Sequence, residues 1–567
     1  MKKAILAWTI ASLGACSAAI ADDIKLNQLG FLPGAAKVAV VPDGAVREFK
    51  VVEADSGKVV LTGLLGPAAR SADSGDTVRQ ASFAALTKPG TYLLRVDGLP
   101  DSLPFKVSAS AYQALNAASI KAFYFNRASI ALDAKHAGVY ARPAGHPDTQ
   151  VLIHASAASP QRPAGSRISS PKGWYDAGDY NKYVVNSGIS TYTLLAAYED
   201  FPAYFQQQRL NIPESGNGRP DLLNEAWWNL EWMLTMQDPA DGGVYHKLTN
   251  QRFDGMVMPD QAKEPRYVVQ KSTAAALDFA AVMATASRVY APFDQKLSAR
   301  MLAAAQSAWR WAQAHSRDYY KQPQDIVTGD YGDNDVSDEF AWAAAELYIT
   351  TGQDEFYKAM RAPEQPATVP SWSDVRGLAW LSLARHRQKL TPAADQPLIA
   401  SRIDKLAQQL ADGWRQSPYG ISMQTSDFVW GSNAVALNQA MVLLHGYRLN
   451  GKRVYLDAAQ SSLDYVLGRN ALDMSFVTGY GARATLHPHH RPSEADGIAA
   501  PVPGFLAGGP QPGQQDKTHC PQPYPSALPA KSYLDHVCSY ASNEVTINWN
   551  APLVYVSAGL QALTPLK

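Results

Sequence analysis

Residues 221–236 read DLLNEAWWNLEWMLTM, and their spacing predicts a helix. Leu223, Ala226, Trp227, Leu230 and Leu234 recur every three or four positions, which places them on one helical face. Pro220 stands just ahead, where its fixed φ and missing N–H suit a first turn. The same rhythm returns in STAAALDFAAVMATASRVY (272–290), MLAAAQSAWRWAQAHS (301–316), SDEFAWAAAELYITTG (337–352), LIASRIDKLAQQLADGW (398–414) and SNAVALNQAMVLLHGY (432–447). From residue 109 onward the chain therefore reads as roughly eleven helices with no sustained strand alternation. Helix pairs wrapped into a ring would bury that many apolar faces, and so would a solenoid; periodicity does not separate the two.

Upstream the pattern changes. Residues 22–108 hold short apolar runs, AKVAVV, FKVVEA, VVLTG, QASFAAL, GTYLLRV and LPFKVS, separated by turns such as Asp55-Ser56-Gly57 and Lys88-Pro89-Gly90. Strands at that density predict a small β-sandwich. Ahead of it, residues 1–21 carry two lysines, an apolar run and Ala19-Ile20-Ala21, the pattern of a secretory signal peptide. Leu13-Gly14-Ala15-Cys16 also fits a lipoprotein cleavage box, in which case Cys16 would carry a lipid. No later segment is long and apolar enough to predict a membrane span.

The 51 acidic and 51 basic residues cancel, which gives no electrostatic footprint for nucleic acid or an anionic membrane. A neutral polymer suits that balance better, and 13 Trp supply flat faces for stacking.

Candidate chemistry gathers in two distant stretches. Residues 173–188, GWYDAGDYNKYVVNSG, hold Asp176 and Asp179 around a small-residue turn that can aim both carboxylates into one cavity. Residues 540–552, YASNEVTINWNAP, hold Glu544 before an apolar run that would bury it and raise its pKa, making it a candidate proton donor. A general acid and a candidate base are the parts glycoside hydrolysis needs.

These motifs, with VTGYGARATLHPHHRPS at 477–493, resemble glycoside hydrolase family 9 in the right order from about residue 109 onward. The opening IKLNQLGFLP is similar to the immunoglobulin-like domain that often precedes the catalytic domain in that family. The resemblance implies an all-α (α/α)6 barrel at 109–567 behind an all-β immunoglobulin-like sandwich at 22–108. It implies Asp179 as base, Asp176 as the acid that holds the water, Glu544 as general acid and Asp535 as an assisting acid. His489 and Arg491 take sugar-contacting positions. His246, Trp430, Tyr540 and Trp549 take further substrate positions, Trp549 replacing a frequent Tyr.

Asp333, Asp335, Asp338 and Glu339 enter a helix, where acids complement the dipole, yet they also supply hard oxygen ligands. The family commonly places a structural calcium there, with a further acid matching Asp374. Cys520 and Cys538 read as a disulfide in an exported chain; with His519 and His536 beside them, a zinc site is the alternative, one the resemblance does not support. The expected protein is a secreted or periplasmic monomer, an inverting endo-β-1,4-glucanase (a cellulase) acting on cellulose or related β-glucans and needing no catalytic cofactor. An exo-acting relative, such as a glucosaminidase or cellobiohydrolase, and a non-catalytic glycan-binding protein are the alternatives.

Overall fold

The structure, a computed structural model, describes residues 23–566; the expected signal peptide and Cys16 lie outside them. Seven strands come first. Val38–Pro42 (β1), Thr77–Ser82 and Ala69–Arg70 form one sheet, and Val59–Leu64, Glu48–Glu53, Gly90–Arg95 and Phe105–Val107 form the other. Alternate residues such as Val51, Leu94 and Phe105 point into a shared core, where Phe31, Phe83 and Phe105 meet ring to ring.

Helices follow. Those of 7 residues or more are Gln113–Phe125 (α1), Val184–Asp200 (α2), Asp221–Met236 (α3), Thr273–Tyr290 (α4), Gln295–Ala314 (α5), Ser337–Thr351 (α6), Asp354–Met360 (α7), Arg376–His386 (α8), Gln396–Gln416 (α9), Ser432–Asn450 (α10), Arg453–Val466 (α11) and Ile547–Leu563 (α12). The even-numbered helices pack in sequence, α2 on α4, α6, α8, α10 and α12, and α12 closes on α2. The odd-numbered helices cover this ring from outside. This is the (α/α)6 barrel. Its two layers follow from sequence: α9 is amphipathic, burying Ile399, Ile403, Ala407 and Leu410 along one stripe, whereas nearly every residue of α4 is buried.

Two expectations need correction. In α3, Trp227 and Leu234 are only half-buried, because the sequence stripe ignores a second buried face carrying Glu225, Asn229 and Trp232. The helical domain also contains a small five-stranded sheet, Lys182–Tyr183, Lys247–Thr249, Tyr267–Val268, Val151–Ile153 and Arg167–Ile168, whose strands are too short for alternation to register.

Sandwich and barrel meet through polar bonds. Asn27 donates to Asp464 (2.9 Å), Gln28 to the Asp473 carbonyl (3.0 Å) and Tyr419 to Asp76 (2.7 Å). No helix among the described residues is long and apolar enough to cross a membrane.

Candidate active site

The turn carrying Asp176 and Asp179 runs into α2, and the segment carrying Glu544 runs into α12, the two helices that close the ring. Ring closure thus brings the two motifs together. Backbone bonds then fix their register: the Ile547 N–H and the Thr546 hydroxyl both donate to the Asp176 carbonyl at 2.9 Å. The histidine-bearing loop completes the frame, since the His489 N–H donates to the Asn543 carbonyl at 2.9 Å. Gly178 is obligatory here, because a Cβ at that position would lie 2.2 Å from the His489 carbonyl oxygen.

All three acids line one open cleft of about 960 Å³. Asp176 is buried and accepts from Asn186 (2.6 Å) and Tyr331 (2.8 Å); burial, then the neighbouring charge of Asp179, pushes its pKa well above the carboxylate range. Asp179 accepts through Oδ2 from the Asn181 side chain and from the Tyr183 hydroxyl (3.3 Å), and no donor among the described residues reaches Oδ1. Glu544 accepts from the Gly178 N–H (3.3 Å). Burial and then the Asp179 charge raise it well above the usual value, so it holds a proton where an exposed glutamate would not. One carboxyl that keeps its proton thus shares a cleft with one whose Oδ1 is free to meet a water.

Around them, the His489 Nδ1–H donates to the Val537 carbonyl, so the neutral ring, its pKa lowered by burial, turns its Nε2 lone pair elsewhere. Trp430, 41% exposed, sits 5.6 Å from the Tyr540 ring, and Trp549 also lines the cleft. Arg491 lines it too, but its guanidinium donates to the Gly178 carbonyl (2.7 Å) and twice to the Asp254 carbonyl, clamping the Asp176–Asp179 turn to the 250s loop.

Two expected site residues lie farther back. His246 is fully buried, stacked on Tyr320 at 3.9 Å with both ring nitrogens bonded, to Ser272 and to the Asp330 carbonyl, and it does not line the cleft. Asp535 also stays behind the cleft wall: it accepts from the Leu486 and His487 N–H groups and from Asn543, tying the histidine loop to the residue before Glu544. Among the expected metal ligands, only Asp333, Asp338 and Glu339 bring oxygens within 4.8 Å of one another. Asp335 instead caps Ser337, and Asp374 bonds Arg376. The sequence reading missed Asp278 of α4, fully buried with both oxygens unpartnered and within electrostatic reach of Asp333 and Asp338. It missed Tyr331 as well; an acid inside an otherwise apolar helix was the available signal for Asp278.

Cys520 and Cys538 form a disulfide, so their sulfurs are not free for zinc. Beside the bridge, His519 bonds the Tyr540 hydroxyl at 3.1 Å.

A helical barrel with a proton-holding glutamate opposite a paired aspartate defines the class: a glycoside hydrolase of the two-carboxylate kind. The chain belongs to glycosyl hydrolase family 9, whose sequence profile matches residues 112–557, and a cellulase N-terminal ig-like domain matches residues 20–101. It is 47% identical over 96% of its length to a xyloglucan-specific endo-β-1,4-glucanase of Bacteroides ovatus, covering 94% of that protein. It is 32% identical over 94% of its length to endoglucanase D of Acetivibrio thermocellus, covering 83% of that protein. A solved Bacteroides ovatus family 9 structure superposes with a TM-score of 0.90 at 44% identity, covering 96% of this chain and all of that one.

Proposed function

We propose that the protein is an exported endo-β-1,4-glucanase that cleaves with inversion, and that xyloglucan is its preferred β-glucan. The observation that carries the reaction is the pairing in one open cleft of a buried, proton-holding Glu544 with Asp179. Glu544 protonates the departing glycosidic oxygen, Asp179 takes a proton from water, and Asp176 holds that water. His489, Arg491, Trp430, Tyr540 and Trp549 line the path of the sugar chain. The substrate rests on the Bacteroides ovatus relative, which matches almost end to end.

Export to the periplasm or beyond, as a soluble monomer or a lipoprotein, is supported by the leader pattern of residues 1–21 and by the disulfide. We divide the chain into a sandwich at 22–108 and a barrel at 109–567. Calcium suits the acidic group of Asp333, Asp338 and Glu339. Buried carboxylate oxygens without donors, on Asp278 and Glu339, are what a hard cation would satisfy, and the ion's part would be structural.

One experiment tests the reaction and the substrate together. Xyloglucan, an unbranched soluble cellulose derivative and chitosan oligomers are offered in parallel, and proton NMR follows the first product. Fastest cleavage of xyloglucan at internal bonds, with the α-anomer appearing first, is expected. A β-anomer, or single units released from chain ends, would overturn the assignment.

A further inference from the structure

Strand Lys247–Thr249 begins beside two buried side chains that the reaction as described does not use. Lys247 is fully buried and forms no ion pair among the described residues. Its Nζ donates instead to Gln322 (2.9 Å), the Thr328 hydroxyl (3.0 Å) and the Gly329 carbonyl (2.6 Å), lying 5.5 Å from the Tyr183 and Tyr320 ring centres. Its neighbour His246 bonds the Asp330 carbonyl at 2.7 Å. Residues 328–330 are therefore gripped from behind, one after another.

The next residue is Tyr331. Its φ of +47° lies in the left-handed region, which a bulky side chain holds only when its surroundings over-determine it. Its ring packs between Tyr183 (4.8 Å) and Trp372 (5.0 Å), and its hydroxyl donates to Asp176. We propose that Lys247, seconded by His246, is a positioning residue for catalysis, fixing the 328–331 loop so that the Tyr331 hydroxyl stays on Asp176. A methionine would fill the same space, whereas a cation with several donors is what immobilises a loop through its carbonyls. Burying the ammonium lowers its pKa to about 7, so its bonds to the loop are made against a desolvation penalty.

The groups facing this device are few. Asp176 meets Asp179, Tyr331, Tyr183 and Glu544; Lys247 meets Asp330, Asp179, Tyr183 and Tyr320. The inference rests on Asp176 taking part in hydrolysis, so its protonation is read twice. One reading is the acid limb of kcat/KM on whichever β-glucan the full chain cleaves. The other needs no turnover: the carboxyl carbon shift of Asp176 in protein labelled with 13C-aspartate.

Tyr331→Phe removes a donor to Asp176 and should move both readings to higher pH. Lys247→Met should move them the same way, and the double variant no further than Tyr331→Phe alone. kcat should fall roughly tenfold, the low end of what a hydrogen bond to a charged group is worth, with KM within about twofold. Lys247→Arg should recover most of the shift, and it supplies the comparison together with His246→Gln if Lys247→Met fails to fold. Shifts that add in the double variant, or a loss of kcat with Asp176 titrating as in the wild type, would overturn the proposal. A wild type inactive on every glucan, with the carbon shifts still coupled, would break the functional reading and leave the brace standing.

Discussion

Two groups of buried acids lie on opposite sides of one short piece of α2: Asn186 bonds Asp176, and two residues later a Cβ on Gly188 would be 3.0 Å from the Cβ of Asp278. Burial raises the proton affinity of Asp176 and Glu544 in one group and of Asp278 and Glu339 in the other. They differ in donors. Asp176, Asp179 and Glu544 each accept a hydrogen bond and open onto the cleft, where a substrate or a water can reach them. Asp278 accepts none and Glu339 leaves one oxygen bare, whereas Asp333 accepts from the Asp335 N–H and Asp338 from the Val375 N–H, both at 2.8 Å. Burial by itself therefore does not distinguish an acid–base site from a cation site; the supply of donors and the access to solvent do.

The largest expected effect tests the donor-rich group. Glu544→Gln should cost about 10²–10⁴ in rate on a natural glucan, the usual worth of a positioned general acid. A substrate with an activated aryl leaving group should be spared that loss, while Asp179→Asn should be slow on both. Equal losses of Glu544→Gln on the two substrates would remove the general acid from its role.

A smaller effect tests the donor-poor group. A chelator should lower the melting temperature and leave turnover at low temperature largely intact, since a cation held at one hundred times its Kd contributes about 2.7 kcal/mol. The pH dependence should change with it. Asp278 and Glu339 are raised in the folded chain, so without metal their contribution to stability is full below the unfolded value of about 4 and is lost as pH rises towards their folded values. The chelated protein should therefore weaken from acid to neutral pH, and calcium should flatten that slope. Identical melting curves with chelator and with calcium across that range would exclude the ion.

The finest cut is a single substitution. Asp278→Asn removes a carboxyl whose ionisation burial opposes, so at neutral pH it should stabilise the chelated protein and destabilise the calcium-loaded one, by on the order of 1–3 kcal/mol each way. The same sign in both conditions would mean that no cation answers Asp278.

This contrast bears on what a sequence discloses. The amphipathic outer helices were legible, because a helix with one wet face writes its period into the chain. The helices that follow the Asp176–Asp179 and Glu544 motifs, α2 and α12, were the least regular to read, since nearly every residue is buried and α12 even carries Pro552 inside. Asp176, Asp179 and Glu544 stood out through short motifs. Tyr331, Lys247 and Asp278 did not, because each owes its place to contacts between distant segments and nothing in the local spelling marks it. His246 and Asp535 were legible as important residues but not as supports.

The seam between α2 and α12 also has a biosynthetic meaning. Asp179 and Glu544 stand just ahead of the second and the last of the barrel helices and share a cleft only once the ring is shut. A nascent or clipped chain lacking α12 has neither a closed ring nor Glu544 in place, so hydrolytic activity serves as a report that assembly has gone to completion.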